Sequence, residues 1–358
     1  MKSVTRPMKI IHFCTRVGNF ADGLVNVAVD LAITQSRAGH DVVLASLGGD
    51  YEPLLNASGV RTVRLDFRAR KPWEVLATRR AIKRLVAETG EEVLHSHTIA
   101  PAVLAASLGR RTALTVSTVH NEFQRGARLL GASRLVVCVS KAIQDKMERS
   151  WLSRGKTTVI VNDVMGSPRR VTAPPKPQLQ GRAIVAIGSV TLRKGSDVLL
   201  EAFGEVARQR DDAHLYFVGN VDHPELLDRF REEEWFPRVH LEGRAEDPTG
   251  YLAAAEVFVQ ASRQDPYPLA VLEAIQSGIK MVGSDADGIP EALGHGRLGA
   301  VFPSEDAEAL AARLIDAFEG RGPIPEPTEA DLAANSVERM ADDYVREYAR
   351  QLTGRGAV

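Results

Sequence analysis

Short apolar runs and longer amphipathic segments alternate along the whole 358-residue chain. The apolar runs are KIIHFC, DVVLAS, EVLHSH, ALTVSTVH, RLVVCV and TTVIVN, followed by RAIVAIG, AHLYFVG, RVHLEG, EVFVQAS and KMVGSD. Apolar residues recur at helical spacing in the segments between them, such as GLVNVAVDLAITQSRAG, PWEVLATRRAIKRLVAETG and SDVLLEAFGEVARQRDD. Continuously apolar strands that alternate with helices are typical of parallel sheets covered on both faces. The pattern therefore predicts an α/β fold.

Periodicity breaks at one internal stretch, GSPRRVTAPPKPQLQGR, residues 166–182, where Pro, Gly and charge replace it. A chain of this length is long enough for two domains. We therefore predict an N-terminal domain at 1–165, this stretch as a linker, and a C-terminal domain at 183–335. A final helix, 336–358, is expected to cross back to the first domain. Because open parallel sheets bind ligands at the carboxyl ends of their strands, the two domains are expected to face each other across a cleft.

The net charge of −1 hides an asymmetry between the predicted domains. Residues 1–165 hold 24 Lys+Arg against 14 Asp+Glu, whereas the remainder holds 21 against 32. Much of the basic excess comes from one predicted helix and the residues before it, including Arg79, Arg80, Lys83 and Arg84. Such a run is usually a solvated face, and an anionic acceptor or membrane surface is the alternative. Nucleic acid is disfavoured, because no aromatic residues interleave as stacking platforms.

Composition favours a cytoplasmic protein. No apolar run reaches the ~20 residues that span a bilayer. KIIHFC near the N-terminus is too short for a secretory leader and lacks a small-residue cleavage site, so it is predicted to be a first buried strand. Cys14 and Cys138 both lie in strand-like runs, which predicts buried free thiols.

Two carboxylates flank a pair of prolines in ASRQDPYPLAVLEAIQSG, residues 261–278. Pro266 and Pro268 exclude helix around Asp265, which is therefore expected in a loop. From Pro268 onward the pattern predicts a helix, with Glu273 about one turn inside it. Two acids at one helix N-terminus indicate a hydroxyl-rich, partly anionic ligand.

Strand, glycine turn, two cations and helix follow one another in AIVAIGSVTLRKGSDVLLEAF. Backbone donors at a helix start, together with Arg193 and Lys194, are suited to a diphosphate; a solvated basic turn is the alternative. GHGRLG, residues 294–299, matches the dinucleotide fingerprint only by letter, because it follows a predicted helix and precedes a strand.

SDADG supplies Asp285 and Asp287, an acid-any-acid spacing that can hold a divalent ion. A helix cap is the preferred interpretation for Asp287.

Histidines are predicted where strands end. His120 ends one strand, where it can donate to a leaving group or sugar hydroxyl, whereas His95, which shares a strand with His97, is expected to be a satisfied hydrogen-bonding residue. Gly23, at the start of the first helix, would let a ligand approach the backbone closely.

These motifs, in this order, resemble the retaining glycosyltransferases of family 4. The likeness spans nearly the whole chain and is strongest in GSVTLRKG, the paired acids of 261–278, GSDADGIPEAL and LGAVFPSEDAEALAARL. GLVNVAVDLA, the strand-end TVH and VCVSKAI fit the family's order in the first half. The resemblance implies a GT-B fold, meaning two Rossmann-like domains facing across a cleft.

The resemblance also implies roles for the residues that match its motifs. Arg193 and Lys194 would neutralise the donor diphosphate, while Glu273 would take the ribose hydroxyls. Asp265 would hold sugar hydroxyls, and the amides near Leu269 would face the donor. By the same likeness, His120 would lie beside the transferring sugar. Gly23 would lie under the phosphate and the reacting centre, and Arg244 at the edge of the base. His120, Asp265 and Lys194 are thus the expected catalytic residues.

The implied activity is retaining transfer of a sugar from a nucleotide diphosphate sugar, a UDP-sugar first among them, to a hydroxyl acceptor. Cell-envelope glycan or glycolipid synthesis is the expected setting, with an acceptor that is anionic or lipid-linked and peripheral membrane contact through the basic domain. No metal or other cofactor is expected. The alternatives are a nucleotide-sugar epimerase or hydrolase on the same fold, and a non-catalytic two-domain sugar-binding protein.

Overall fold

The computed structural model describes residues 6–18, 23–68, 71–90, 92–109, 113–170, 174–323 and 335–353. The chain forms two compact units. The first comprises Met1–Arg170 together with Ala334–Val358, and the second comprises Val171–Ala333. Parts of the predicted linker, and the end of the domain predicted at 183–335, lie outside the described residues.

The first unit is built on a seven-stranded parallel sheet of order β3-β2-β1-β4-β5-β6-β7. Its strands are β1 (Lys9–Phe13), β2 (Asp41–Ser46), β3 (Arg61–Arg64), β4 (Val93–Ser96), β5 (Leu114–Val119), β6 (Leu135–Cys138) and β7 (Thr157–Val159). Its helices are α1 (Gly23–Arg37), α2 (Glu52–Ala57), α3 (Pro72–Thr89), α4 (Ile99–Ala106) and α5 (Lys141–Glu148).

The second unit holds a six-stranded parallel sheet of order β10-β9-β8-β11-β12-β13. Its strands are β8 (Arg182–Ile187), β9 (Ala213–Val218), β10 (Val239–Gly243), β11 (Val257–Gln260), β12 (Lys280–Ser284) and β13 (Ala300–Phe302). Its helices are α6 (Ser196–Gln209), α7 (Glu225–Asp228), α8 (Thr249–Ala254), α9 (Leu269–Ser277), α10 (Ile289–Ala292) and α11 (Ala307–Phe318). Two Rossmann-like α/β domains are thus confirmed.

The last helix, α12 (Val337–Thr353), packs on the first unit, which confirms the predicted return of the chain. Tyr344 and Tyr348 are fully buried on its inner face. The Tyr348 hydroxyl lies 2.7 Å from His95 Nδ1, and the Tyr344 hydroxyl lies 2.9 Å from Thr118 Oγ1. Both partners lie on central strands, so the helix is held by polar contacts as well as by apolar burial.

Residues 166–170 belong to the first unit, although the sequence places them at the start of the linker. Arg169 makes two hydrogen bonds of 2.9 Å to the Asp30 carboxylate in α1, and Ser167 donates to the same group. The ion pair is buried, with side-chain exposures of 7% and 1%. This contact anchors the chain to the first unit before it enters the second.

Local sequence accounts for most element ends. Pro72 starts α3 and Gly90, in the left-handed conformation, ends it. The Ser140 and Asp306 side chains accept backbone N–H groups at the starts of α5 and α11. The sequence pattern missed β3, because its letters, RTVR, include two arginines. Charge is typical of an edge strand, the position β3 occupies.

Candidate functional site

The glycine–basic loop of the second unit connects β8 to α6, as predicted. Gly188 and Gly195 have φ angles of 125° and 67°. A Cβ at Gly195 would lie 2.0 Å from the carbonyl oxygen of Ala261, so the loop packs directly on the chain that follows β11. The carboxyl ends of two neighbouring strands, β8 and β11, therefore share one loop cluster.

Lys194 and Asp265 meet within this cluster. Lys194 Nζ lies 2.8 Å from Asp265 Oδ2, which also accepts a 3.0 Å hydrogen bond from Gln260 Nε2. The ammonium and the carboxylate are partly buried, with side-chain exposures of 22% and 12%. The pair joins the predicted phosphate-binding loop to the loop that holds the first of the two acids.

Arg263 is a site residue that sequence reasoning missed. It makes two hydrogen bonds of 2.7 and 2.9 Å to Asp197, in the first turn of α6, and donates to the carbonyl of Leu192. Its backbone N–H donates to the carbonyl of Arg193, whose own guanidinium donates to the carbonyl of Gln264. A bidentate arginine–carboxylate pair is rigid, so Arg263 fixes the shape of both loops.

The second acid lies in α9. Glu273 is the fifth residue of this helix and is buried, with 6% exposure. Leu269 is the first helical residue, and Pro268 precedes it in an extended conformation without a side-chain cap. The sequence pattern predicts the start at Pro268, one residue early. The first amides of α9 thus lie between Asp265 and Glu273 along the chain, which is the arrangement the sequence predicted.

The remaining predicted features of the second unit do not take part in the Lys194–Asp265 ion pair, although the backbone N–H of Gly288, next to Asp287, donates to the carbonyl of Asp265 at 3.2 Å. Arg244 is exposed and directly follows β10. Asp285 Oδ1 accepts the backbone N–H of Ser304 at 2.8 Å. The cap prediction for Asp287 is wrong, because Gly288 is the residue that precedes α10. The segment 294–299 lies between α10 and β13, which confirms that its context is not that of a dinucleotide-binding turn.

In the first unit, Gly23 is the first residue of α1, and His120 follows β5 directly. His120 Nε2 lies 3.0 Å from His97 Nδ1, and His97 Nε2 lies 3.0 Å from His12 Nδ1. His12 Nε2 in turn lies 2.8 Å from Gln35 Oε1. Three histidines, His12 on β1 and two that directly follow the neighbouring strands β4 and β5, therefore form one hydrogen-bonded row that ends on α1.

Burial keeps these rings neutral. It lowers the pKa of His12 to about 4 and that of His120 to about 3. It also lowers the pKa of His97 and of His95 well below the ordinary value. His120 therefore carries no proton to release as an imidazolium near neutral pH, and its predicted donor role toward a leaving group has no support from its protonation. His95 has partners at both nitrogens, as expected.

Among the described residues, one group has the spacing of metal ligands. Atoms of His12, His95 and His97 lie within 4.8 Å of one another, and all three side chains are buried. Every ring nitrogen of the three takes part in one of the hydrogen bonds given above. A metal ion would have to displace those bonds, so the arrangement suits a hydrogen-bond network better than a metal centre.

Comparison with known families gives matches to both units. The sequence-family model described as "Glycosyltransferase Family 4" matches residues 21–164, and the one described as "Glycosyl transferases group 1" matches residues 181–319. Together the matched residues include every site residue that the sequence predicted, from Gly23 to Glu273.

Curated relatives and solved structures agree with this assignment. A phosphatidyl-myo-inositol mannosyltransferase of Mycolicibacterium smegmatis is 26% identical, over 93% of this chain and 89% of that protein. Two structures share the fold at low identity. A glycosyltransferase from Rickettsia africae has a TM-score of 0.72 and 17% identity, covering 96% and 94% of the two chains. Anabaena HepE in complex with UDP and glucose has a TM-score of 0.70 and 16% identity, covering 98% and 99%. The chain is a glycosyltransferase of family 4 with the GT-B fold.

Proposed function

We propose that the protein transfers a sugar, with retention, from a UDP-sugar to a hydroxyl group of an anionic membrane lipid. The observation that carries the donor half is the Lys194–Asp265 pair, which places a cation and a hydrogen-bond acceptor 2.8 Å apart at the ends of β8 and β11. A nucleotide sugar needs a cation for its diphosphate and, next to it, an acceptor for sugar hydroxyls.

Each residue of the cluster has a part in this scheme. Lys194 and Arg193 stabilise the charge that develops on the departing diphosphate, and in many enzymes such electrostatic stabilisation contributes most of the rate enhancement. Asp265, oriented by Gln260, accepts the sugar hydroxyls, and Glu273 accepts those of the ribose. Arg263 holds the loops in place, so that little reorganisation is needed at the moment of transfer. No metal enters this scheme.

A thermal-shift panel tests the donor. UDP, GDP, ADP and their common sugar conjugates are compared, with NAD as a control and with EDTA in a parallel series. A ligand of the folded state must raise the melting temperature. A shift by UDP compounds that survives EDTA supports the proposal. A shift with NAD alone contradicts the donor assignment, and a shift lost in EDTA contradicts metal independence.

Asp265→Asn separates the two halves of the donor site. The amide keeps the shape but removes the negative charge of the ion pair with Lys194, so the lysine becomes more available to a diphosphate. We expect UDP affinity to be kept or increased while the preference for the intact UDP-sugar over UDP falls. Glu273→Ala is the complementary variant, which should weaken UDP and UDP-sugar alike. Equal weakening in both variants would contradict the separate roles.

The acceptor half rests on the relatives and on α3. The M. smegmatis relative is named for phosphatidyl-myo-inositol, a membrane lipid. None of the described helices is long and apolar enough to cross a bilayer. Trp73 and Leu76 on α3 are 66% and 42% exposed, beside the exposed cations Arg80 and Lys83. Apolar and basic residues together on a surface helix are typical of contact with anionic lipid.

One of the four predicted basic residues differs from the rest. Arg79 makes hydrogen bonds of 3.0 and 2.9 Å to Ser107, so it serves the fold rather than the surface. The membrane test therefore replaces Arg80, Lys83 and Arg84 by Ser and measures sedimentation with phosphatidylinositol-containing vesicles. The matched control replaces the exposed cations Arg208, Arg229 and Arg231 of the second unit. Equal binding by both variants would contradict the proposal.

Turnover of the donor in the absence of an acceptor distinguishes a transferase from an epimerase or a hydrolase. An epimerase or hydrolase consumes UDP-sugar alone, whereas a transferase releases UDP at a rate that rises with added lipid acceptor. Membership of family 4 and its relatives favours the second outcome.

A further inference from the structure

The histidine row of the first unit has a defined geometry. His12 lies on β1, His97 follows β4 and His120 follows β5, and these strands are neighbours in the sheet. The rings are nearly parallel, with centroids 5.3 Å apart for each consecutive pair. Gln35 of α1, fully buried, lies at the inner end, and half-buried His120 lies at the outer end.

A neutral imidazole has one N–H donor and one bare nitrogen. When neutral rings are joined in a row, each must donate to the next in the same direction. The direction is therefore decided by the group at the end of the row. Here that group is Gln35 Oε1, which lies 2.8 Å from His12 Nε2 and can only accept.

We infer that Gln35 fixes the tautomers of His12, His97 and His120, so that each carries its proton on Nε2 and His120 keeps a bare Nδ1. His12 Nε2 donates to Gln35, His97 Nε2 donates to His12 Nδ1, and His120 Nε2 donates to His97 Nδ1. His95 stands outside the row, because its nitrogens contact Thr118 and Tyr348.

The consequence concerns what His120 binds. A bare nitrogen accepts a hydrogen bond and repels other acceptors, so His120 selects a hydroxyl and rejects a phosphate oxygen. This inference rests on the proposed function and on the family resemblance, by which His120 would lie beside the transferring sugar and the hydroxyl would belong to that sugar. Gln35, His12 and His97 are then positioning residues that act through His120. Because His120 donates only to His97, it supplies no proton to the leaving group.

The tautomers are measurable on the full chain without any ligand. Two-bond ¹H–¹⁵N spectra of protein labelled with ¹⁵N-histidine separate protonated from bare ring nitrogens, and single His→Gln variants assign the signals among the nine histidines. We expect His12, His97 and His120 to show protonated Nε2 and bare Nδ1 near neutral pH. Protonated Nδ1 on any of the three would overturn the inference.

Two variants at Gln35 test whether this residue sets the tautomers of the histidine row. Gln35→Met keeps the volume and removes the acceptor, whereas Gln35→Glu keeps an acceptor at the same place. We expect the Met variant to show mixed tautomers at His120 and the Glu variant to retain the wild-type form. A Met variant that folds and keeps the pure Nε2–H form contradicts the inference. If the Met variant does not fold, the wild-type spectra alone decide it.

Kinetics connect the tautomer to the reaction. With UDP-sugar as the probe, the Met variant should lose about fivefold to tenfold in kcat/KM, as expected for one misdirected hydrogen bond, and the Glu variant should recover most of it. A merely structural effect would lower the melting temperature of both variants without this split. Failure of UDP-sugar as a donor would contradict the proposed function but leave the tautomer result intact.

Discussion

Acidification should destabilise the first unit strongly, because its buried histidines are held neutral. The pKa of His12 falls from 6.5 in an unfolded chain to about 4 in the fold, and that of His120 falls to about 3. For each histidine, at a pH between 6.5 and its folded pKa, the unfolded state binds a proton that the native state does not. The two histidines therefore cost no stability above pH 6.5, and the free energy of unfolding decreases as the pH falls from 6.5 toward their folded pKa.

The magnitude follows from the width of this window. One pKa unit corresponds to about 1.4 kcal/mol, so at pH 5 each of the two histidines costs about 2 kcal/mol relative to neutral pH. His95 and His97 shift in the same direction and add to the loss. Since domains are stable by about 5–15 kcal/mol, a combined loss of about 4 kcal/mol is a large share.

Thiol labelling gives a probe specific to this unit. The chain has two cysteines, Cys14 and Cys138, both fully buried and both in the first unit. Burial, aided by Glu148, raises the pKa of Cys138 to about 12, which keeps it inert while the unit is folded. Urea titrations with 4,4′-dithiodipyridine, which reacts in mild acid, should show a midpoint lower by about 2 M at pH 5 than at pH 7, for a denaturant slope of about 2 kcal/mol/M.

A matched pair of variants tests whether the buried histidines cause the pH dependence of the urea midpoint. His12→Gln should reduce the dependence of the midpoint on pH, whereas His223→Gln, at an exposed histidine of the second unit, should not. Equal midpoints at pH 7 and pH 5 in the wild type would refute the reasoning. So would an unchanged pH dependence in a folded His12→Gln protein.

Two further substitutions, each compared with a control substitution, test the packing described above. Arg169→Ala leaves a buried carboxylate of α1 unpaired and should cost about 3–5 kcal/mol by the same thiol assay; Lys141→Ala, at an exposed pair, should change stability by less than about 1 kcal/mol. Gly195→Ala combines an unfavourable φ of 67° with a Cβ 2.0 Å from the Ala261 oxygen, so it should lower UDP affinity and the melting temperature more than Gly278→Ala, which has the same φ and open space. Equal effects within either pair would contradict these contacts.

The sheets were predictable because the chemistry of parallel strands is local. A strand buried on both faces needs an unbroken apolar run, and all eleven runs named from the sequence form strands. β3 was not predicted, because it is an edge strand. An edge strand tolerates arginines, and these interrupt the apolar pattern by which strands are identified in the sequence. The caps and stops of α3 and α9 were equally local, carried by prolines and glycines.

Side-chain partners could not be predicted in this way. Arg263 looks like one more surface cation in the sequence, and its partner Asp197 lies 66 positions away. Gln35 lies on an amphipathic helix, where a polar residue needs no explanation until β1 brings His12 within 2.8 Å of it. These contacts depend on strand order and on the geometry of the crossover connections. The sequence pattern predicts the α/β fold class but not these details. Motif resemblance supplied the residues expected to touch the donor, but not the residues that orient them.

Local charge, rather than the charge of a domain, would allow an acidic half of the chain to bind a diphosphate, as proposed above. Residues 166–358 carry 21 Lys+Arg against 32 Asp+Glu, yet the ends of β8 and β11 hold Arg193, Lys194 and Arg263. Screening limits exposed charges to about 8–10 Å, so acids elsewhere on the surface contribute little at this loop cluster. Within it, Asp265 and Asp197 already neutralise Lys194 and Arg263. In the proposed donor site, a diphosphate would compete with Asp265 for Lys194, and sugar hydroxyls that bind the carboxylate would make that exchange favourable. In this proposal the intact nucleotide sugar would satisfy both Lys194 and Asp265 at once, which neither phosphate nor sugar would do alone.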